Sequence, residues 1–231
     1  MSDNNKLGEV FRRWGGGTAL FFTYTHLSHD LCTGLLPALL PLIREGLGLS
    51  YLQSGFLLSA LNVTSGLSQF PGGWIGDRLK RSIVIATGLG GIGITALAVG
   101  LSPSYYVMVA VLIIMGIFAG AYHPSTLAIL SSFFEATKRG KAVAFHMSGG
   151  SIGFAIGPIL GGLIAEVLGW RFAFIILSLP ALVAIPPVLK RFGQTPITSQ
   201  ASEPTRATSS PALPTGAGVW KVLKPIAIIF T

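Results

Sequence analysis

Residues 18–190 consist almost entirely of six long apolar runs, at roughly 18–43, 51–75, 82–101, 105–133, 142–167 and 171–190. A helix needs about 20 largely apolar residues to cross a hydrocarbon core about 30 Å thick. Each run meets that length, so the chain reads as an all-α membrane protein, a bundle of six transmembrane helices. Composition excludes a water-soluble domain. Charged residues are 10% of the chain and hydrophobic ones 51%, whereas soluble domains carry about 25% charged residues. The 30 glycines fit as well, since glycine is more frequent in spanning helices than in soluble ones. The first run is too long for the core of a cleavable signal, and no small-residue cleavage site follows it. The single cysteine, Cys32, excludes an internal disulfide.

The flanks differ from the bundle. Residues 1–17 form a polar N-terminal segment. Residues 191–217 are polar and punctuated by Pro196, Pro204, Pro211 and Pro214, which marks a linker. Within residues 218–231 apolar residues resume at Val222 and continue to Phe230, which reads as the start of a seventh, truncated span. Charge sets the expected orientation. With the N-terminus and the 191–217 linker in the cytoplasm, 14 of the 16 Lys and Arg residues fall on the cytoplasmic side, and only Arg44 and Arg171 on the other. The positive-inside rule favours that arrangement in a plasma (inner) membrane. The net charge of +8 is then a topology signal with some affinity for anionic headgroups, and nucleic acid is not an expected partner.

The loop between the second and third runs reads Pro71-Gly72-Gly73-Trp74-Ile75-Gly76-Asp77-Arg78-Leu79-Lys80-Arg81. Its Gly73-x-x-Gly76-Asp77-Arg78-x-x-Arg81 pattern resembles the signature loop of the major facilitator superfamily. The glycines suit a close helix approach. The resemblance implies a gate in which the acid pairs with a helix end in the other half of the transporter. Lys80 stands where the family usually has glycine, and Ser82 where it usually has a basic residue.

The fifth run carries Gly149, Gly150, Gly153, Gly157-Pro158 and Gly161-Gly162. It resembles the family's glycine-proline motif, which implies an exporter or antiporter; plain helix packing requires the same residues. At 3.6 residues per turn His146, Gly150, Gly153, Gly157 and Gly161 share a face. Small residues on one stripe allow close contact in lipid, and Pro158 removes a backbone donor.

Asp30 is the one acid deep inside a run; Asp3, Glu9, Glu45, Asp77, Glu135, Glu166 and Glu203 lie at ends or in loops. A charged side chain at mid-membrane costs several kcal/mol, which points to an ion or proton pathway; an Asp neutralised by His26 or by helix caps, serving packing alone, is the alternative. Thr23, His26, Gly34 and Pro37 share its face by helical spacing. All four histidines, His26, His29, His123 and His146, fall inside runs. Ala121-Tyr122-His123-Pro124, His26-x-x-x-Asp30 and Leu36-Pro37-Ala38-Leu39-Leu40-Pro41 together resemble the fosmidomycin-resistance branch of the superfamily. Ser125 departs from the acid that often follows the branch's His-Pro. Leu112, Ile113 and Ile114 replace the basic residue of many drug/proton antiporters. Asn62-Val63-Thr64 matches a glycosylation acceptor but lies within a span. His26, His29 and Asp30 lack the His-Glu-x-x-His pattern of a zinc-protease helix, so neither a metal nor a cofactor is expected.

The resemblance implies the N-terminal half of a twelve-span transporter, itself two inverted three-helix repeats. Asp30, His26, Asn62, His123 and His146 are the expected substrate and proton pathway. The expected function is proton-coupled export of a small organic solute or drug by alternating access, not an enzymatic reaction. Its expected partners are the solute, protons, the bilayer and a missing C-terminal six-helix half. Uptake or symport of an organic anion, and a truncated half that does not transport, are the alternatives.

Overall fold

The computed structural model describes residues 16–76, 78–79 and 81–192. The 191–217 linker beyond Phe192, the 218–231 segment and most of the N-terminal segment lie outside these residues. Eight helices are found among those described: α1 (Gly16–Thr33), α2 (Leu35–Leu47), α3 (Tyr51–Gly76), α4 (Arg81–Leu101), α5 (Tyr105–Ser132), α6 (Ala136–Leu168), α7 (Trp170–Val183) and α8 (Ile185–Phe192).

Eight helices make six rods, because the first and last runs are each interrupted once. The first rod was expected to be one helix over 18–43 and instead divides at Gly34, whose amide still donates to the Asp30 carbonyl at 2.9 Å. Pro37 explains the division. It has no N–H for the Thr33 carbonyl, and its ring crowds that carbonyl. The last rod divides at Ala184 for the same reason, with Pro186 and Pro187 unable to donate to Leu182 and Val183. The fifth rod starts at Ala136, six residues ahead of the apolar run. Lys138, Arg139 and Lys141 are exposed on its first turns, where their long unbranched side chains suit a helix that outruns the hydrocarbon.

Ile83–Leu101, Tyr105–Ser132, Ala136–Leu168 and Trp170–Lys190 are long and apolar enough to cross a membrane by length and composition alone. The first two rods are more polar. They carry His26, His29, Asp30 and Thr33, and Asn62 and Ser65, which line cavities on the open side of the bundle. Their polarity marks the inward wall.

Rods one and five, two and four, and three and six pack most extensively. Exchanging rods one to three for rods four to six maps the first pair onto the second and the third onto itself, as two three-helix repeats require. The first two pairs also use one chemistry. In the α1–α6 contact a Cβ at Gly149 would collide with the Thr23 carbonyl, and one at Gly153 with that of Leu27. In the α3–α5 contact a Cβ at Gly116 would meet Thr64, and one at Gly120 would meet the Ser65 carbonyl. Hydroxyls bridge each contact: Thr23 Oγ1, 2.9 Å from Ala19 O in its own helix, also lies 3.2 Å from Phe145 O, and Ser68 Oγ, 2.7 Å from Thr64 O, also lies 3.1 Å from Gly116 O. In lipid, such contacts substitute for the hydrophobic effect between helices. Gly161 follows the stripe against Leu35, while Gly162 faces open space.

The two basic residues expected on the sparsely charged side are both engaged. Arg44 lies 4.2 Å over the Tyr51 ring. Arg171 donates to the Gly100 and Ser102 carbonyls at 3.1 and 2.5 Å, covering the end of α4.

Candidate functional site

The four histidines converge on Asp30. On α1, His29 Nδ1 donates to Asp30 Oδ1 at 2.6 Å. His26 Nε2 lies 3.3 Å from Asp30 Oδ2. His123 of α5 sets its ring 4.7 Å from that of His29 and 5.3 Å from that of His26. His146 of α6 stacks on His26 at 4.3 Å. The carboxylate is 18% exposed and the His26 and His29 side chains nearly fully buried.

Hydrogen bonds fix which ring nitrogens can donate. His26 Nδ1 is 3.0 Å from the His146 carbonyl, and His146 Nδ1 is 2.8 Å from the Phe22 carbonyl. A carbonyl only accepts, so both Nδ1 atoms carry protons. In a neutral ring the Nε2 is then a lone pair. His26 therefore turns a lone pair toward a carboxylate oxygen, an arrangement that is stable only when a proton or another cation lies between them. His29 has the same form, with Nδ1 committed to Asp30 and a buried Nε2 without a hydrogen-bond partner among the described residues.

Two cavities open beside this cluster. One, of about 320 Å³, is lined by residues including His29, Thr33, Asn62, Ser65, His123 and Phe154. The other, of about 390 Å³, is lined by His26, Asp30, His123, Met147, Ser151, Phe154 and Ala155. His123 and Phe154 belong to both. Of the five expected pathway residues, Asp30, His26, Asn62 and His123 line a cavity, whereas His146 lies behind His26 and lines neither. One donor atom each from His26, Asp30 and His123 lies within 4.8 Å of the others. A tetrahedral cation bonded at about 2.0–2.1 Å holds its ligand atoms about 3.4 Å apart, so this trio would have to close before it held one.

Tyr122, Phe154 and Ser151 were not expected at the site. Tyr122 stacks on His29 at 4.5 Å and donates to Thr25 Oγ1 at 3.0 Å. Its place beside His123 was the available signal. Phe154 is indistinguishable by sequence from a lipid-facing residue.

The loop motif is at the end of α3, away from the cavities. Its close approach is at Gly72, where a Cβ would sit 2.8 Å from that of Ala121; at Gly73 the nearest atom, of Pro124, is an ordinary 3.9 Å away. Gly76 ends α3 and Arg81 begins α4. Asp77 lies outside the described residues. Arg78 is bound to its own helix end, 3.8 Å over the Trp74 ring and donating to the Trp74 carbonyl at 3.0 Å.

The family model described as Major Facilitator Superfamily matches residues 20–231. The chain belongs to this superfamily. Among its facilitator relatives is the puromycin resistance protein pur8 of Streptomyces alboniger, 32% identical over 63% of this chain and 29% of that protein. The D-galactonate transporter of Escherichia coli is 29% identical over 58% of this chain and 31% of its own. Solved facilitator structures share the fold. A bacterial homologue of the human lysosomal transporter Spinster superposes with a TM-score of 0.67 at 17% identity, over 90% of this chain and 48% of that one. A peptide transporter, POT, reaches 0.69 at 16%, over 91% and 43%. The chain thus spans less than half the length of each, and the described bundle is an N-terminal facilitator half, multi-pass in a membrane.

Proposed function

We propose that this half, completed by a C-terminal six-helix half, forms a secondary active transporter that exports a small organic solute or drug from the cytoplasm in exchange for protons. The N-terminus and linker are cytoplasmic, the membrane is the plasma (inner) membrane, and the branch is the fosmidomycin-resistance-like one. The observation that carries the reading is Asp30, the one acid lining either cavity among the described residues. Antiport needs a group that takes and releases a proton as access alternates. The Asp30 carboxylate meets that need, with His26 and His29 on α1 against it, His123 and Tyr122 of α5 beside these, and His146 of α6 behind His26. The puromycin resistance relative supports export. The D-galactonate transporter relative, whose solute is an organic anion, supports the second reading, in which this protein takes up an organic anion.

Asp30→Asn in the protein from its complete reading frame tests the reading. It keeps the shape of the side chain and lowers the insertion cost, so the protein should insert. Reconstituted into liposomes, it should lose solute movement driven by a pH gradient and keep gradient-free exchange. Uphill movement at the wild-type rate would remove Asp30 from coupling. The 1–231 segment alone should insert without transporting. Vectorial transport by a crosslink-verified monomer of that segment would show that the second half is dispensable.

A further inference from the structure

The cavity between α1, α5 and α6 has an unusual polar inventory. Asp30 Oδ1 accepts from His29, and Oδ2, on the cavity side, lies 3.3 Å from His26 Nε2. His26 has spent its Nδ1 proton on the His146 carbonyl, so in the neutral ring its Nε2 is a lone pair that faces Asp30 Oδ2 and calls for a cation between them. Ser151 has spent its hydroxyl proton on the Met147 carbonyl at 3.2 Å, so its Oγ also accepts. In the adjoining cavity Thr33 turns its hydroxyl proton to the Asp30 carbonyl at 3.4 Å, and the Asn62 amide supplies N–H donors there. No Lys or Arg lines either cavity among the described residues. His123 contributes one N–H at most when neutral. The rest of the cavity wall is Met147, Phe154 and Ala155, apolar and polarizable.

A wall of acceptors around one negative charge is matched by a ligand with clustered N–H donors and a positive charge. A primary ammonium has both, with three donors on one atom. Charge-assisted hydrogen bonds to a carboxylate are about twice as strong as neutral ones. The Phe154 face, 54% exposed, suits an apolar or aromatic body and attracts cations. A carboxylate or phosphonate solute would meet lone pairs and a like charge here. We infer that this cavity recognises the protonated amine of a basic, partly apolar solute, with the ammonium on Asp30 Oδ2 and the body against Phe154 and Met147. The inference rests on the transport reading above and names its solute class. It also explains exchange: a proton and an ammonium compete for one carboxylate oxygen, so binding of one releases the other.

Two dyes with the same fluorophore and opposite charge test this, dansylcadaverine as the amine and dansylglycine as the acid. With the purified protein from its complete reading frame, dansylcadaverine should bind saturably and dansylglycine should not. Phenethylammonium should displace the bound amine dye, and 3-phenylpropionate should not, a comparison that needs no variant. Asp30→Asn, verified as folded by size exclusion, should weaken dansylcadaverine by about tenfold or more, as expected for loss of a charged partner. Saturable dansylglycine binding, failure of both dyes to bind, or unchanged amine affinity in Asp30→Asn would overturn the inference. The transport reading fails separately: uphill movement by Asp30→Asn removes the coupling role and leaves amine recognition standing. Acid-dye binding with coupling lost overturns the amine assignment alone.

Discussion

His26 and His146 stack 4.3 Å apart, and each ring is tied to a carbonyl of the other's helix, His26 to His146 O and His146 to Phe22 O. The pair is a reciprocal staple between the first and fifth rods, placed one turn before Asp30. It holds the His26 tautomer that presents Nε2 to the carboxylate. His146 thus acts on the site through His26.

Removing the staple should cost stability before it costs chemistry. His146→Ala removes one donor from the Phe22 carbonyl, which keeps Thr25 Oγ1 at 2.9 Å, so the lost hydrogen bond costs about 0.5–1.5 kcal/mol. Thermal unfolding in detergent should show a lower Tm. His146→Asn, whose side-chain amide can stand in for Nδ1–H, should recover much of it. If Ala and Asn lower Tm equally, the ring's packing matters and its hydrogen bond does not.

The glycine stripe makes a sharper contrast. A Cβ at Gly150 would lie 2.6 Å from Asp30 Oδ2 and from His26 Nε2, whereas one at Gly162 meets nothing. Gly150→Ala should lower Tm by an amount equivalent to about 1–3 kcal/mol of overpacking and should displace the His26–Asp30 pair. Gly162→Ala should be neutral or mildly stabilising, since it faces outward on a helix. Equal behaviour of the two would mean that α1 and α6 do not approach closely at Gly150.

Most of the bundle was legible in the sequence, because run length acts locally along the chain. The rod count, the buried stripe from His146 to Gly161 and the position of Asp30 on an inward face all follow from spacing. What was hidden depends on other helices. Gly162 fits the motif as well as Gly161 does, yet only three-dimensional packing puts one against Leu35 and the other in the open. The inward side of Phe154 and the donation from His29 to its own neighbour Asp30 are likewise invisible to periodicity. The break at Gly34 was written in Pro37, three residues on, and the apolar run concealed it.

The loop glycines should separate by the same logic. Gly72 has the Ala121 backbone against it and Gly73 has only a distant Pro124. Gly72→Ala should therefore reduce the folded fraction on size exclusion, and Gly73→Ala should leave it unchanged. A reversal would place the motif's close contact where the family pattern suggests, at Gly73.

The gate is tested by dividing Asp77 from Arg78. Arg78 is held over Trp74 and bonded to that residue's carbonyl, so its charge serves the end of α3. A guanidinium stacks on an aromatic face in a way an ammonium does not. Arg78→Lys should thus loosen the helix end, seen as faster proteolysis in the loop, with little change in transport. Asp77 is the residue proposed to reach across to the second half. Asp77→Asn in the protein from its complete reading frame should leave insertion intact, because the loop is aqueous. It should change the labelling of single cysteines placed beside Asn62 and Ser151, raising accessibility on one side of the membrane and lowering it on the other. Wild-type labelling from both sides, together with wild-type transport, would reduce the loop to a determinant of topology.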